Sequence, residues 1–198
     1  PAESERIAII ERRTRETEIL GELVLDGAGR IAVATGIGFL DHLLQAFAFH
    51  AGFDLRLECS GDLDVDDHHT AEDCALAIGE ALDTALGDRG RITRFGWAYA
   101  PLDEALARAV VDLSGRPWAE IDLGLERDSI GRLACENIGH VLTSMATAAR
   151  CALHVDLLRG RNDHHRSEAA FKATALAMRQ AVALTGRDEV PSTKGVLV

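Results

Sequence analysis

The chain has 198 residues, room for one large domain or for two fused halves of about 100 residues each. It is 47% hydrophobic, 5% aromatic and 27% charged, which excludes a disordered polymer and asks for a core built mainly from Ala, Val, Leu and Ile. Its 21 basic and 32 acidic residues leave a formal charge of -11, a field that repels nucleic acid and anionic membrane and admits an anionic small molecule only where a local basic pocket overrides it.

In chain order, residues 5–13, 18–25 and 30–34 carry β-branched or alternating patterns broken by Asp26-Gly27 and Gly29, which suits hairpin strands. Residues 39–50 have apolar positions at helical spacing. Phe53–Cys59 alternates, with Phe53, Leu55 and Leu57 on one face, and reads as a strand. Residues 67–86 form a second helix with Ala75, Leu76, Ile78, Ala81, Leu82 and Leu86 as its buried stripe and Gly87 as its stop. The same order then returns: strands near 95–100, 105–113 and 117–123, a helix at 132–150, a strand at 152–158 and a helix at 164–184. No run of 18 apolar residues occurs and no charged-then-apolar leader opens at Pro1, so a soluble, cytoplasmic protein is expected. Cys59, Cys74, Cys135 and Cys151 have no close metal spacing and read as free thiols in a reducing compartment, Cys74 as a small core residue.

The return is a repeat in residues as well as in pattern. With His42 placed over His140, His42-Leu43-Leu44 falls on His140-Val141-Leu142, and Leu55-Arg56-Leu57 on Leu153-His154-Val155 without a gap. Val24-Leu25-Asp26 with Gly29-Arg30 matches Val110-Val111-Asp112 with Gly115-Arg116. A duplication is expected, with halves at 1–93 and 94–198, the second carrying a C-terminal substrate-binding tail. The predicted fold class is α+β: two mixed sheets, each with two helices on one face, and the helices packed between the sheets.

Two copies of Asp-His-His-x-x-Glu, at Asp67–Glu72 and Asp163–Glu168, open the second helix of each half. Histidine and carboxylate are ligands for borderline and harder divalent ions. Residues i and i+4 share a helix face, so His68 can meet Glu72, and His164 can meet Glu168. His69 diverges from His68 by roughly 100°, so neither motif closes a site alone and two ions or ligands shared between halves or subunits are implied. Each motif needs a third histidine from the preceding helix, His42 or His140. Eight ligands for two ions give four each, leaving positions open to substrate on a six-coordinate metal. Asp67 and Asp163 are expected as helix caps or outer partners. His154 is expected to face solvent from its strand, and His50, at a helix C-terminus where the protonated form is favoured, to contact substrate rather than metal.

With these residues the chain resembles the imidazoleglycerol-phosphate dehydratase family of histidine biosynthesis. The resemblance runs through Arg13-Thr14-Arg15-Glu16-Thr17, Thr35-Gly36-Ile37-Gly38-Phe39-Leu40-Asp41-His42, Asp66-Asp67-His68-His69-Thr70-Ala71-Glu72-Asp73, Asp112-Leu113-Ser114-Gly115-Arg116-Pro117, Arg161-Asn162-Asp163-His164-His165 and Pro191-Ser192-Thr193-Lys194-Gly195. Nothing in the chain resembles the histidinol-phosphatase domain fused to some members. The resemblance implies a Mn²⁺-dependent dehydration of D-erythro-imidazole-glycerol phosphate to imidazole-acetol phosphate, with two ions per active site. It also implies a 24-subunit homo-oligomer with sites between subunits. Carried over residue by residue, it makes His42, His68, His69, Glu72, His140, His164, His165 and Glu168 the ligands and Glu16 the acid/base carboxylate. Arg94, Arg116, Ser192 and Lys194 fall on phosphate-binding positions, Thr193 on a substrate-binding one beside them, and Gln45, His50 and Lys172 on substrate-proximal ones. Val141 departs from the aromatic residue that commonly follows this histidine, and is expected to alter packing rather than chemistry.

The chemistry explains the ligands. The proton leaves a carbon with no adjacent carbonyl, so a carboxylate base alone is insufficient. Two ions on the imidazole nitrogens would favour the imidazolate, whose electrons can expel the neighbouring hydroxyl. Glu16 would assist that departure or accept the carbon-bound proton. On the same resemblance His69, Glu72, His165 and Glu168 would share in catalysis by holding the ions. Judged on residues alone, a dimetal phosphate-ester hydrolase and a metal-storage protein are the rivals, and the Arg and Ser-Thr-Lys elements favour an anionic substrate over storage.

Overall fold

The structure, a computed structural model, describes residues 6–186, 190–195 and 197. The first half runs β1 (Ile7–Arg13), β2 (Thr17–Val24), β3 (Ile31–Ala34), α1 (Gly38–Ala51), β4 (Asp54–Gly61) and α2 (His68–Leu86). The second runs β5 (Phe95–Leu102), β6 (Ala105–Asp112), β7 (Trp118–Asp122), β8 (Ser129–Ile130), β9 (Leu133–Ala134), α3 (Cys135–Ala148), β10 (Ala152–Arg159) and α4 (Asp163–Ala181). The sheet orders are β1-β2-β4-β3 and β5-β6-β10-β7. In each, the last-named pair is parallel and the others antiparallel. The two four-stranded sheets therefore share one topology, as a repeat requires, and the β8–β9 hairpin is extra to the second half.

The expected helix at 132–150 is corrected at its start. Residues 133–134 pair with 129–130 in the β8–β9 hairpin, and α3 begins only at Cys135. The hairpin is two residues per strand, too short for a period of two to register against the helical pattern that follows. The helix at 164–184 likewise ends at Ala181, where the chain turns so that Leu184 bridges to Ile92.

Strand alternation decides which side of each sheet is covered. Ile19, Leu23, Leu55 and Leu57 of the first sheet, and Ala107, Ala109, Val111, Leu153 and Val155 of the second, are buried. Glu18, Leu20, Arg108 and Val110 face outward, and His154 lies exposed between Val110 and Glu120 as expected. The helices fill the space between: α2 lies on β1 and β2, α4 on β5 and β6, and the middle layer pairs α1 with α4 and α2 with α3. Both helix pairs therefore cross from one half to the other. Close approach needs small residues. A Cβ on Gly79 of α2 would stand 2.5 Å from the Met145 carbonyl oxygen of α3, and one on Gly96 of β5 would stand 1.9 Å from that of Ala177 in α4. Val141 is fully buried in α3, a packing position as expected. Among the described residues no helix is long and apolar enough to cross a membrane, and the four cysteines are unpaired.

The loop leading into β3 is pinned by a buried carboxylate. Asp54 Oδ1 accepts from the amides of Ala28, Gly29 and Arg30 at 2.7, 2.9 and 2.9 Å, and Oδ2 from Arg30 Nε at 2.7 Å. Burial by itself pushes this carboxyl up; the Arg30 amide and guanidinium and the Ala28 amide outweigh it and hold Asp54 below the ordinary value. A depressed folded pKa gives stability that is present above the ordinary Asp pKa of about 4 and lost as pH falls through the folded value. Asp54→Asn is expected to melt about 5 °C below the parent protein at pH 7, from roughly 1.5–3 kcal/mol of charged hydrogen bonding. The gap should narrow only as pH falls below the ordinary Asp value of about 4, read in thermal melts at matched concentration.

Candidate metal centre

The helix starts are set by short-range polar contacts that also aim the histidines. Ahead of α1, Asp41 Oδ1 accepts from the Thr35 amide at 2.8 Å and hydroxyl at 2.6 Å, which fixes the turn before His42. At α2, Asp66 takes the His68 amide at 2.9 Å, while Asp67 Oδ2 accepts the Ala134 amide at 2.6 Å and so ties α2 to the strand before α3. Asp67 occupies the cap position but its side chain makes no cap bond. At α4 the cap is Asn162, which accepts from the His164 and His165 amides. Asp163 lies inside the helix and instead receives the amides of Glu126 and Arg127 at 2.9 and 2.7 Å. Both aspartates thus act as anchors between elements rather than caps. Burial favours neutral Asp163, but those amides and Arg166 hold it low.

Two groups of candidate ligands assemble. His42, His164 and Glu168 form one, and His68, Glu72 and His140 the other, with ligand atoms within 4.8 Å of one another in each. His42 Nε2 and His164 Nε2 lie 3.1 and 3.3 Å from Glu168 Oε2. His140 Nε2 lies 3.1 Å from Glu72 Oε1, and His68 Nε2 3.8 Å from Glu72 Oε2. The third histidine does not come from the preceding helix of the same half. His42 of the first half joins the second-half motif, and His140 of the second half joins the first-half motif. The reason is the middle layer, where α1 packs on α4 and α3 on α2.

The donor set, two imidazoles and one carboxylate, fits a borderline divalent cation. The Glu168 carboxyl is available as an anion: burial would raise it, but Lys172 at 2.7 Å and His42 outweigh this and hold it at about 2.

His69 and His165 leave their own clusters, as the helical angle predicts. His69 Nδ1 meets Asp62 Oδ2 at 2.9 Å, and His165 Nδ1 meets Glu104 Oε2 at 2.8 Å. Each hydrogen bond raises its histidine above the ordinary value. Glu104 is held at about 2 by His165 and the amides of Asn162 and Arg161. With Nδ1 committed, Nε2 is the free ligand atom, the arrangement found at ligating histidines. The Nε2 atoms face two hairpin-turn carboxylates, Glu16 at 3.6 Å and Asp103 at 3.9 Å. Sequence reading missed Asp62, Asp103, Glu104 and Asn137, because no spacing rule links them to the histidines they meet.

The other candidate residues separate into two sets. Gln45, His50 and Lys172 line one surface cavity of about 430 Å³ with His42 and Glu168. His50 sits in the last turn of α1 as expected, but burial and the neighbouring Lys172 charge lower its pKa. The expected preference for protonation is therefore corrected: desolvation and a cation outweigh the helix terminus. Arg116 is exposed after Gly115, whose φ is 82°. Arg94 is spent on Asp112 at 2.7 and 3.1 Å and on the Pro191 carbonyl at 2.7 Å, so it anchors the base of the tail. There Ser192 accepts the Lys194 amide through Oγ at 3.2 Å, and Thr193 and Lys194 are exposed.

A family model described as imidazoleglycerol-phosphate dehydratase matches residues 35–178. Among curated proteins, the imidazoleglycerol-phosphate dehydratase of Phytophthora nicotianae is 59% identical over 192 residues, covering 97% of this chain and 42% of that protein. That of Candida glabrata is 54% identical over 209 residues, covering 96% of this chain and 100% of the relative. Among solved structures, the enzyme from Staphylococcus aureus superposes with a TM-score of 0.81 at 35% identity, over 89% of this chain and 99% of that one. The enzyme from Pyrococcus furiosus, in complex with (S)-C348, gives 0.82 at 38% identity, over 95% and 100%.

Proposed function

Since the chain belongs to the imidazoleglycerol-phosphate dehydratase family, hydro-lyases of histidine biosynthesis, we propose that it converts D-erythro-imidazole-glycerol phosphate to imidazole-acetol phosphate in the cytoplasm, using two Mn²⁺ ions per active site. The observation that carries this reading is the pair of His₂Glu clusters, each completed across the two halves. His42, His164 and Glu168 would hold one ion, and His68, Glu72 and His140 the other. When bound, the ions supply Lewis acidity to the imidazole ring, which acidifies a substrate lacking a carbonyl beside the reacting carbon. His69 and His165 would present Nε2 outward to a neighbouring copy, so that sites lie between subunits of a homo-oligomer of 24 chains. We read the halves 1–93 and 94–198 as products of duplication, the second keeping the substrate-binding tail.

Glu16 takes the acid/base role in this reading. It stands on the β1–β2 turn, half-exposed, with its carboxylate 3.6 Å from His69 Nε2 and outside both clusters. It is therefore free to move a proton rather than hold a cation. Gln45, His50 and Lys172 border the first cluster and would position the substrate's hydroxyls. Arg116 and the tail residues Ser192, Thr193 and Lys194 would gather charge and donors for the phosphate, with Arg94 holding the tail in place and offering only the N–H groups that Asp112 and the Pro191 carbonyl leave free.

The test is product analysis on Mn²⁺-loaded protein given imidazole-glycerol phosphate. A ketone without free phosphate is expected, whereas release of inorganic phosphate would mark a hydrolase and sink the proposal. In the same assay Lys194→Ala is expected to raise KM at least about tenfold, the loss of one charge-assisted contact; an unchanged KM would remove Lys194 from the phosphate site.

A further inference from the structure

The two clusters are built from equivalent helices, yet the residues that support them are not equivalent. Asn137 and Phe39 each stand three residues before the histidine of their helix, His140 and His42. Asn137 is buried, and its Oδ1 lies 3.0 Å from His68 Nδ1. With Nδ1–H donating to that amide oxygen, the ring is held in the tautomer whose Nε2 lone pair points toward Glu72. The His68 and His140 rings are nearly parallel, 5.1 Å apart and 19° between planes. At the other cluster Phe39 takes the place of Asn137. Its ring lies 4.9 Å from that of His164 and offers no acceptor, and among the described residues His164 Nδ1 has no side-chain hydrogen-bond partner.

The carboxylates differ in the opposite chemical sense and to the same effect. Lys172 follows Glu168 by one helical turn and places Nζ 2.7 Å from Oε1. The matching position after Glu72 is Leu76. A divalent ion entering the His42–His164–Glu168 cluster therefore competes with a fixed ammonium and, among the described residues, meets no imidazole whose Nδ1 is held by a hydrogen bond. An ion entering the His68–Glu72–His140 cluster meets no rival cation and an imidazole already aimed.

We propose that the two clusters bind divalent metal with unequal affinity, the His68–Glu72–His140 cluster filling first, and that Asn137 is the positioning residue responsible for its higher affinity. The inference rests on reading both clusters as metal sites. Removing an outer partner of a metal-bound histidine lowers affinity about 10- to 100-fold, which sets the scale expected for Asn137.

The test is titration of metal-free, full-length protein with Mn²⁺, following the six-line resonance of free aqueous Mn²⁺. Two classes of one ion per chain are expected, separated by about tenfold or more. Glu72→Gln should abolish the tight class and Glu168→Gln the weak one. Asn137→Leu should weaken the tight class alone, while Asn137→Asp, which restores an acceptor, should keep it within a few-fold; a merely structural role would not distinguish these two. Lys172→Met should tighten the weak class. A single class of two equal ions overturns the proposal, as does loss of the tight class in Glu168→Gln or equal affinities for the two Asn137 variants. No Mn²⁺ binding at all overturns the metal reading itself, a separate outcome.

Discussion

Glu16→Gln is expected to lower kcat by roughly 10²- to 10⁴-fold, the range that positioned proton transfer contributes, while metal stoichiometry stays unchanged. Gln keeps the size and the polarity of the side chain and removes only its charge and its capacity to carry a proton. Glu16 belongs to neither three-residue cluster, so its loss should leave both intact. Its backbone carbonyl accepts the Asp62 amide at 3.1 Å, and Asp62 in turn holds His69. The first contact is made by the Glu16 main chain and the second does not involve the Glu16 side chain, so both survive the substitution. Steady-state kinetics and Mn²⁺ titration on the same preparation separate the two effects. Full turnover in the metal-loaded variant would end the acid/base assignment, and loss of bound metal would recast Glu16 as a ligand.

A double-mutant cycle on metal affinity is expected to follow the crossed pairing of the helices. His42→Ala and Glu168→Gln should each weaken the same class of Mn²⁺ site by at least about 100-fold, above the range for outer partners. Combined, they should do little more than either alone, since residues of one site act as a unit. His42→Ala with Glu72→Gln should instead remove both classes, each loss adding to the other. Pairing within each half, as the repeat alone suggests, reverses these outcomes: His42 would couple to Glu72 and be independent of Glu168. The distances decide for the crossed arrangement, with His42 3.1 Å from Glu168.

Much of this molecule is written locally. The alternation of Phe53, Leu55 and Leu57 and the stripe from Ala75 to Leu86 mark a strand and a helix because side-chain direction repeats every 2 and 3.6 residues in those elements. The His–x–x–x–Glu spacing places two ligands on one helix face by the same geometry, and His68–Glu72 and His164–Glu168 do converge. The divergence of His69 and His165 followed from the same angle, and both are turned to other partners. The β8–β9 hairpin was not legible, since two-residue strands carry no period. The outer partners were not legible either, because Glu104 reaches His165 through the β5–β6 turn, far away in the chain.

The two Asp-His-His-x-x-Glu segments therefore declared by themselves what kind of atoms would gather, at what helix positions, and that neither could finish a site unaided. Which histidine finishes which site was decided only in three dimensions. Each sheet buries one face, and those faces meet through a single layer of helices in which α1 lies on α4 and α2 on α3. The free energy that fixes those crossings comes from apolar burial and close backbone approach, at positions such as Gly79 against Met145. Those contacts are made between halves, so a pattern read within either half could not reveal them.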